Sequence, residues 1–472
     1  MTKTRATVLV LLSFCSALAL VWGFIFERSA RGRIADFKLA YYDTQCLLHH
    51  CDPYSKGEMW RVFVEEGGVV PADPVQQEQI IRRMPQQVYL PTAFPFIAPF
   101  ALLRWEVAHL LWMVLTAGTL TLAAFLVLNE AWPRAPSIAF YFICFILVNS
   151  GIVIAGGNSA GIVVGLSTLA AWCLIHERFE VPGVACLAVS LAIKPHDAGW
   201  VWLFLFLAGG VLRKRALQAV IVLAAIAVPA LIWVTYAVPH WIQEMQANLQ
   251  MTSALGGNAD PGPASGVGLG PGMIIDLQTA LSLLLDEPRF YNLTTYFICV
   301  PLFLVWVIVT LRARFSIARA WIALAAIAPL SMLPVYHRPY DAKLLMLTIP
   351  ACATLWAEGG VVGWSAVLLT GAGLVATSDI PLAIGNLLTA GLNSSPVGSL
   401  QKIKAVLLMR PAPLVLLALG TFYLWIYVRR SRSDGNEGTE ATQSIPECKE
   451  TAADAEVTSS RGQAVSEGIR LM

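Results

Sequence analysis

The sequence predicts an all-α integral membrane protein, a polytopic bundle of about twelve transmembrane helices. Three observations predict it. Hydrophobic residues make up 57% of the chain and charged residues 13%, against about 25% charged in a soluble globular protein. The charges are segregated: of 62 (32 basic, 30 acidic), 17 fall in 27–88 and 14 in 429–472, so long apolar runs fill the rest. Basic residues also recur at alternate connections between those runs, as membrane topology requires. Together these exclude a soluble enzyme, a disordered protein and a disulfide-rich secreted domain. The formal net charge of +2 gives no reason to expect a nucleic-acid partner.

The elements follow in order. Residues 7–26, preceded by Lys3 and Arg5, stay apolar up to Trp22, Phe24 and Phe26, without the small-residue site of a cleaved signal peptide; an uncleaved anchor is expected. Further apolar spans fall near 106–128, 137–155, 160–176, 181–195, 198–212, 216–238, 292–311, 318–335, 341–357, 361–378 and 405–428. Several are short enough to need a broken end. With Lys3 and Arg5 cytoplasmic, the same side receives Arg134, Arg178, Arg213-Lys214-Arg215, Arg312, Arg314, Arg319 and Arg429-Arg430. Both termini are then cytoplasmic in a multi-pass cell-membrane protein. The long loops 27–105 and 239–291 fall outside. One membrane domain is expected over 1–428, followed by a polar, disordered tail over 429–472.

The first outer loop is too long for a plain connection and should contain interfacial helices. Its stretch Tyr89-Leu-Pro91-Thr-Ala-Phe94-Pro95-Phe-Ile-Ala-Pro99 has three prolines in nine residues, which predicts a re-entrant or interfacial segment packed against protein. Cys46 and Cys51 with His49 and His50 offer a zinc site, a disulfide, or two thiols on a short polar helix. In the second loop the glycine-rich run 256–272 lacks the Gly-Lys-Ser/Thr of a phosphate loop and reads as a lid or linker. Segments 240–252 and 273–286 around it suit amphipathic helices.

Polar groups at helix ends on the outer side carry the chemistry. Asp36 precedes Tyr41-Tyr42 and Asp43 on a helix ended by Asp52-Pro53-Tyr54. A carboxylate just outside the first membrane helix suits a general base, and equally a helix cap. Lys194-Pro195-His196-Asp197 and Tyr336-His337-Arg338-Pro339-Tyr340-Asp341-Ala-Lys343 put several cations at the same bilayer edge. There they would suit a phosphate, or snorkel to lipid headgroups. Gly156-Gly157-Asn158-Ser159 opens a helix whose free N–H groups suit an anion or sugar, or a simple turn and cap.

The order of these motifs resembles glycosyltransferase family 87: Asp36 with Tyr41-Tyr42, Asp52-Pro53-Tyr54, Tyr89-Leu-Pro91 with Phe94-Pro95, Gly157-Asn158, Lys194-Pro195, and His337 three residues before Tyr340. The resemblance runs over about 20–360 and implies a GT-C type bundle. It also implies a polyprenyl-phosphate-linked sugar donor, usually mannose, a lipid or glycan acceptor, and chemistry on the extracytoplasmic face. By the same likeness Asp36 is the catalytic base, and His337, with Lys194 nearby, holds the donor phosphate. Arg338 is the third cation of that group, and Tyr41, Asp43, Asp52, Tyr54, Asn158, His196 and Tyr340 are the expected substrate contacts. The chain departs from the family pattern at Cys51, where glycine is expected, and at Asn158, where glutamine is common. Both departures bear on the sugar or acceptor pocket.

The expected function is an inverting hexosyl transfer that requires no cofactor, although Asp36, Asp43 and Asp52 could share a divalent ion. A transporter or lipid flippase is the alternative. It would place charges near the membrane midplane and show repeated halves, and neither feature is present in the sequence.

Overall fold

The computed structural model describes residues 36–262, 274–378 and 410–443, with Phe14, Ala17, Leu18, Val21, Ile380, Val406 and Leu407. The chain divides into two units, Met1–Ser431 and Arg432–Met472. In the second, 432–443 are helical, and 444–472, most of the expected tail, lie outside the described residues. Most of the expected anchor 7–26 and most of the glycine-rich run fall outside them too.

Four helices occupy the first loop: α1 (Asp36–Leu48), α2 (Lys56–Glu65), α3 (Pro74–Arg83) and α4 (Phe94–Ala101). Ser55 caps α2 through Glu58 N, and Asp73 caps α3 through Val75 N with Pro74 in the first turn. A 3-10 turn at Pro91–Ala93 leads into α4, so the proline-rich stretch is a short helix with Phe94, Ile97 and Ala101 buried. Helices α1 and α4 pack together around Phe37, Tyr41 and Tyr42, with Phe100 and Trp105 against them. Cys46 and Cys51 form a disulfide at the end of α1, with Cα atoms 4.9 Å apart. That removes the zinc alternative, because a metal needs the thiolates.

The bundle follows: α5 (Trp105–Ala131), α6 (Pro136–Val148), α7 (Gly151–Gly156), α8 (Ser159–Ile175), α9 (Glu180–Ile193), α10 (Pro195–Leu207), α11 (Gly210–Ala237), α12 (Trp241–Ser253), α13 (Leu277–Ser282), α14 (Pro288–Arg312) and α15 (Ile317–Ser331). A 3-10 helix, Asp341–Thr348, then runs into α16 (Ile349–Glu358), α17 (Gly360–Ala376) and α18 (Pro411–Gln443). Among the described residues there is no strand.

Five segments are long and apolar enough to cross a membrane: α5, Pro136–Gly156, α11, α14 and Pro411–Arg432. Helices α8, α9, α15 and α17 are apolar but shorter. The described residues thus give fewer full-length spans than the twelve or so expected. The difference lies at breaks. The expected spans 198–212 and 216–238 regroup as α10 and α11 around Gly209, and 341–357 splits into the 3-10 helix and α16.

Helix α8 is the hub: every residue except Leu166 is buried. A helix apolar on all faces is one surrounded by protein, and α8 packs against α5, α9 and α10. Its N-cap Asn158 and the α9–α10 junction at Lys194 supply the two halves of the site.

Candidate active site

Asp36 opens α1 with φ 52°, in the left-handed region that Asp tolerates better than most residues. Helical N–H groups behind it favour an anion there. Opposite lies the turn Gly156-Gly157-Asn158. Gly157 takes φ 64°, and a Cβ there would meet Phe37 Cβ at 2.6 Å. At Gly156 a Cβ would stand 2.9 Å from Asp36 Oδ2, so only glycine lets the backbone come this close. Trp112 fixes the turn from outside: its Nε1 donates to Gly157 O at 2.7 Å while its ring stacks on Phe37 at 4.3 Å.

Asn158 has two tasks. Its Oδ1 accepts from Ala160 N at 3.0 Å, capping α8, and its Nδ2 donates to Asp36 Oδ1 at 2.5 Å. Burial pushes the Asp36 carboxyl above the usual carboxylate range, and the Asn158 bond, then the charges of Arg338 and Lys194, pull against it. The Asp36 carboxyl and these two cations therefore share one electrostatic environment.

The cations are held by acids that sequence reasoning left out. Lys194, at the break between α9 and α10, bonds Asp341 Oδ1 and lies 3.1 Å from Asp197 Oδ2, with Tyr340's ring centroid at 5.2 Å. His337 Nε2 is 3.5 Å from Asp197 Oδ1, and its Nδ1 lies 2.8 Å from Val335 O. Burial opposes a charged His337, but the Asp197 bond and the charges of Asp341 and Asp197 outweigh it and raise its pKa. His196 stacks edge-on to His337, centroids 5.3 Å apart, and its own side chain is 44% exposed. The backbone N of Arg338 donates to Asp341 Oδ2 at 2.7 Å; its guanidinium donates to Tyr336 Oη and, at 3.4 Å, to Asn258 O. Among the described residues no ion pair joins the Arg338 guanidinium to a carboxylate, so it is the cation best placed to meet an added anion.

His196 Nε2, Asp197 Oδ1 and His337 Nε2 lie within 4.8 Å of one another and, among the described residues, form the one grouping close enough to hold a metal ion that contains no disulfide-bonded cysteine. The Lys194 ammonium already supplies positive charge beside it.

Of the expected site residues, the fold gathers Asp36, Asn158, Lys194, His196, His337, Arg338 and Tyr340. It does not bring the rest to this place. Tyr41 donates to Leu103 O at 2.6 Å within the α1–α4 core. Asp43, 1% exposed, faces Asp52 and Tyr54; burial and then the Asp52 charge raise its pKa well above the ordinary value. Asp36, Asp43 and Asp52 do not form a shared ion site among the groupings close enough to hold a metal. Asp52 caps its own turn, Oδ1 accepting from Tyr54 N at 2.9 Å. Tyr54 donates to Tyr89 O at 3.0 Å.

The fold and site define a polytopic membrane protein with a carboxylate set against a cation cluster. Residues 88–314 match the family model of glycosyltransferase family 87, which bears out the resemblance drawn from the motifs. The family indicates a glycosyltransferase. The matched span contains Asn158, Lys194 and His196, while Asp36, His337, Arg338 and Tyr340 lie beyond it. No curated protein and no solved structure matches the chain.

Proposed function

We propose that the protein transfers a hexose, mannose by the family resemblance, from a polyprenyl-phosphate-linked donor to a hydroxyl of a lipid or glycan acceptor on the extracytoplasmic face. The observation that carries this reading is the Asp36–Asn158 bond within the field of Arg338 and Lys194. A base and an anion cradle in one site are what displacement at a phosphate-linked anomeric carbon needs.

Asp36 takes the proton from the acceptor hydroxyl as that oxygen attacks the anomeric carbon. The bond from that carbon to the phosphate oxygen breaks on the opposite face, so configuration inverts in one step. The polyprenyl phosphate leaves with one more negative charge than it had as a diester, and Arg338, His337 and Lys194 meet that charge. Since phosphate departs as an anion without protonation, the step needs no metal cofactor. The extracytoplasmic assignment draws support from the alternating basic connections and from the Cys46–Cys51 disulfide, which suits an oxidising compartment.

The test is transfer by the purified full-length protein from radiolabelled polyprenyl-phosphate mannose and glucose to extracted membrane lipids. Label is expected in an acceptor product with inverted anomeric configuration. Transfer only from a nucleotide sugar would overturn the donor, and retention of configuration would overturn the single displacement.

A further inference from the structure

Segment 87–92 spans the two halves of the site. At one end Tyr89 Oη and Ser159 Oγ are 2.8 Å apart, and Ser159 is the neighbour of Asn158, which holds Asp36. At the other end Thr92 Oγ1 donates to Ala192 O at 2.6 Å, two residues before Lys194. The Tyr89 side chain therefore stands between the base and the cations, and the charges of Lys194, Asp36 and Asp341 all reach its hydroxyl.

Its backbone is fixed on both sides. Gln87 Oε1 accepts from Tyr89 N at 3.1 Å, and Tyr54 Oη donates to Tyr89 O. Asn248 ties the same layer together, donating to Tyr54 O at 2.9 Å and Gln87 O at 3.1 Å. So many bonds to one loop residue hold its ring in a single place, the condition for a precise contact. Tyr89 stays half-buried, within a ligand's reach. The Ser159 bond uses one of the hydroxyl's capacities and leaves another for a ligand.

We propose that the Tyr89 hydroxyl is a substrate contact that hydrogen-bonds a hydroxyl of the donor's sugar, between Asp36 and the phosphate-binding side chains. This rests on the donor reading above and adds to it the group that recognises the sugar. A sugar whose anomeric carbon faces Asp36 and whose phosphate faces Lys194, His337 and Arg338 must turn a flank toward this loop.

The experiment compares wild type with Tyr89→Phe and Ser159→Ala, full-length in nanodiscs. Each is titrated with polyprenyl-phosphate mannose, polyprenyl-phosphate glucose and sugar-free polyprenyl phosphate. Tyr89→Phe is expected to bind the two sugar-bearing lipids about three- to ten-fold more weakly than wild type does, the worth of about one hydrogen bond, while keeping wild-type affinity for the sugar-free lipid. Ser159→Ala should keep most of the affinity for the sugar-bearing lipids. Wild-type affinity for the sugar-bearing lipids in Tyr89→Phe overturns the contact and leaves the donor reading standing. Tyr89→Phe weakening all three lipids alike shows a structural role and also overturns it. A wild type that binds none of the three lipids overturns the donor reading and the contact together.

Discussion

The amide of Asn158 donates to Asp36 Oδ1 at 2.5 Å across 122 residues of sequence, so the residue that caps α8 also aims the carboxyl of α1. Asp36→Asn keeps the shape of the side chain but cannot accept a proton. Sugar transfer should fall by about 10²–10⁴-fold, with membrane insertion and thermal unfolding unchanged at matched protein levels. Near wild-type transfer would remove Asp36 as the base.

Asn158→Ala tests the same bond through pH. Asp36 must be ionised to act, so activity rises with pH through its pKa, which burial sets above the usual range and the Asn158 bond draws back down. Without that bond the pKa rises further. The acidic limb of the pH–rate profile should move to higher pH, and Arg338→Met should move it the same way by less. A limb that stays put in Asn158→Ala would show that it belongs to another group.

Gly156→Ala probes the close approach. The new methyl stands 2.9 Å from Asp36 Oδ2, so carboxyl or turn must shift. A displacement of about 1 Å at a reacting group costs up to about 10²-fold. Turnover should drop by about 10- to 100-fold, more than affinity for sugar-free polyprenyl phosphate changes.

Lys194→Met should destabilise the fold as well as weaken donor binding. It leaves Asp197 and Asp341, both buried, without their shared cation, a loss of about 3–5 kcal/mol for a broken buried pair. Adding Asp341→Asn should recover part of the thermal stability but not donor affinity. If the double variant binds donor normally, Lys194 is a structural cation.

Asp43→Asn should behave in the opposite sense. Asp43 has a raised pKa in the folded protein, whereas in the unfolded chain the group ionises above about pH 4. The folded state then binds more protons, and stability falls as pH rises from there toward the raised value. The variant should match wild type near pH 4 and unfold at a higher temperature at pH 7, with transfer largely kept. Loss of transfer confined to Asp43→Asn would move the base to that residue.

How much of this site was legible follows from where each residue finds its partner. Lys194, His337 and Arg338 stood out because cations at the ends of apolar runs are costly and need a reason. Asp36 stood out by its place after the first apolar run. The aromatic neighbours did not resolve. Tyr41 and Tyr54 lie near acids in sequence, yet their hydroxyls go to Leu103 and Tyr89, contacts made only by the packing of α1 with α4 and of segment 87–89 with the first loop. Asp197 and Asp341 were visible inside the quoted motifs. An acid three residues after Lys194 and another three after Arg338 were a signal that reading the cations alone passed over. The span count differs for a local reason: hydropathy runs smoothly through 341–357, and only backbone geometry shows where the 3-10 helix gives way to α16.

The Lys194 cluster also bears on biogenesis. Lys194 is synthesised 147 residues before Asp341, so its long-range partner does not exist when α9 and α10 enter the bilayer. Asp197, three residues on, emerges almost at once and offsets the ammonium during insertion. Each later helix can then be threaded without an orphan charge in lipid. The bond to Asp341 closes after α15 has arrived, joining the middle of the nascent chain to its last third.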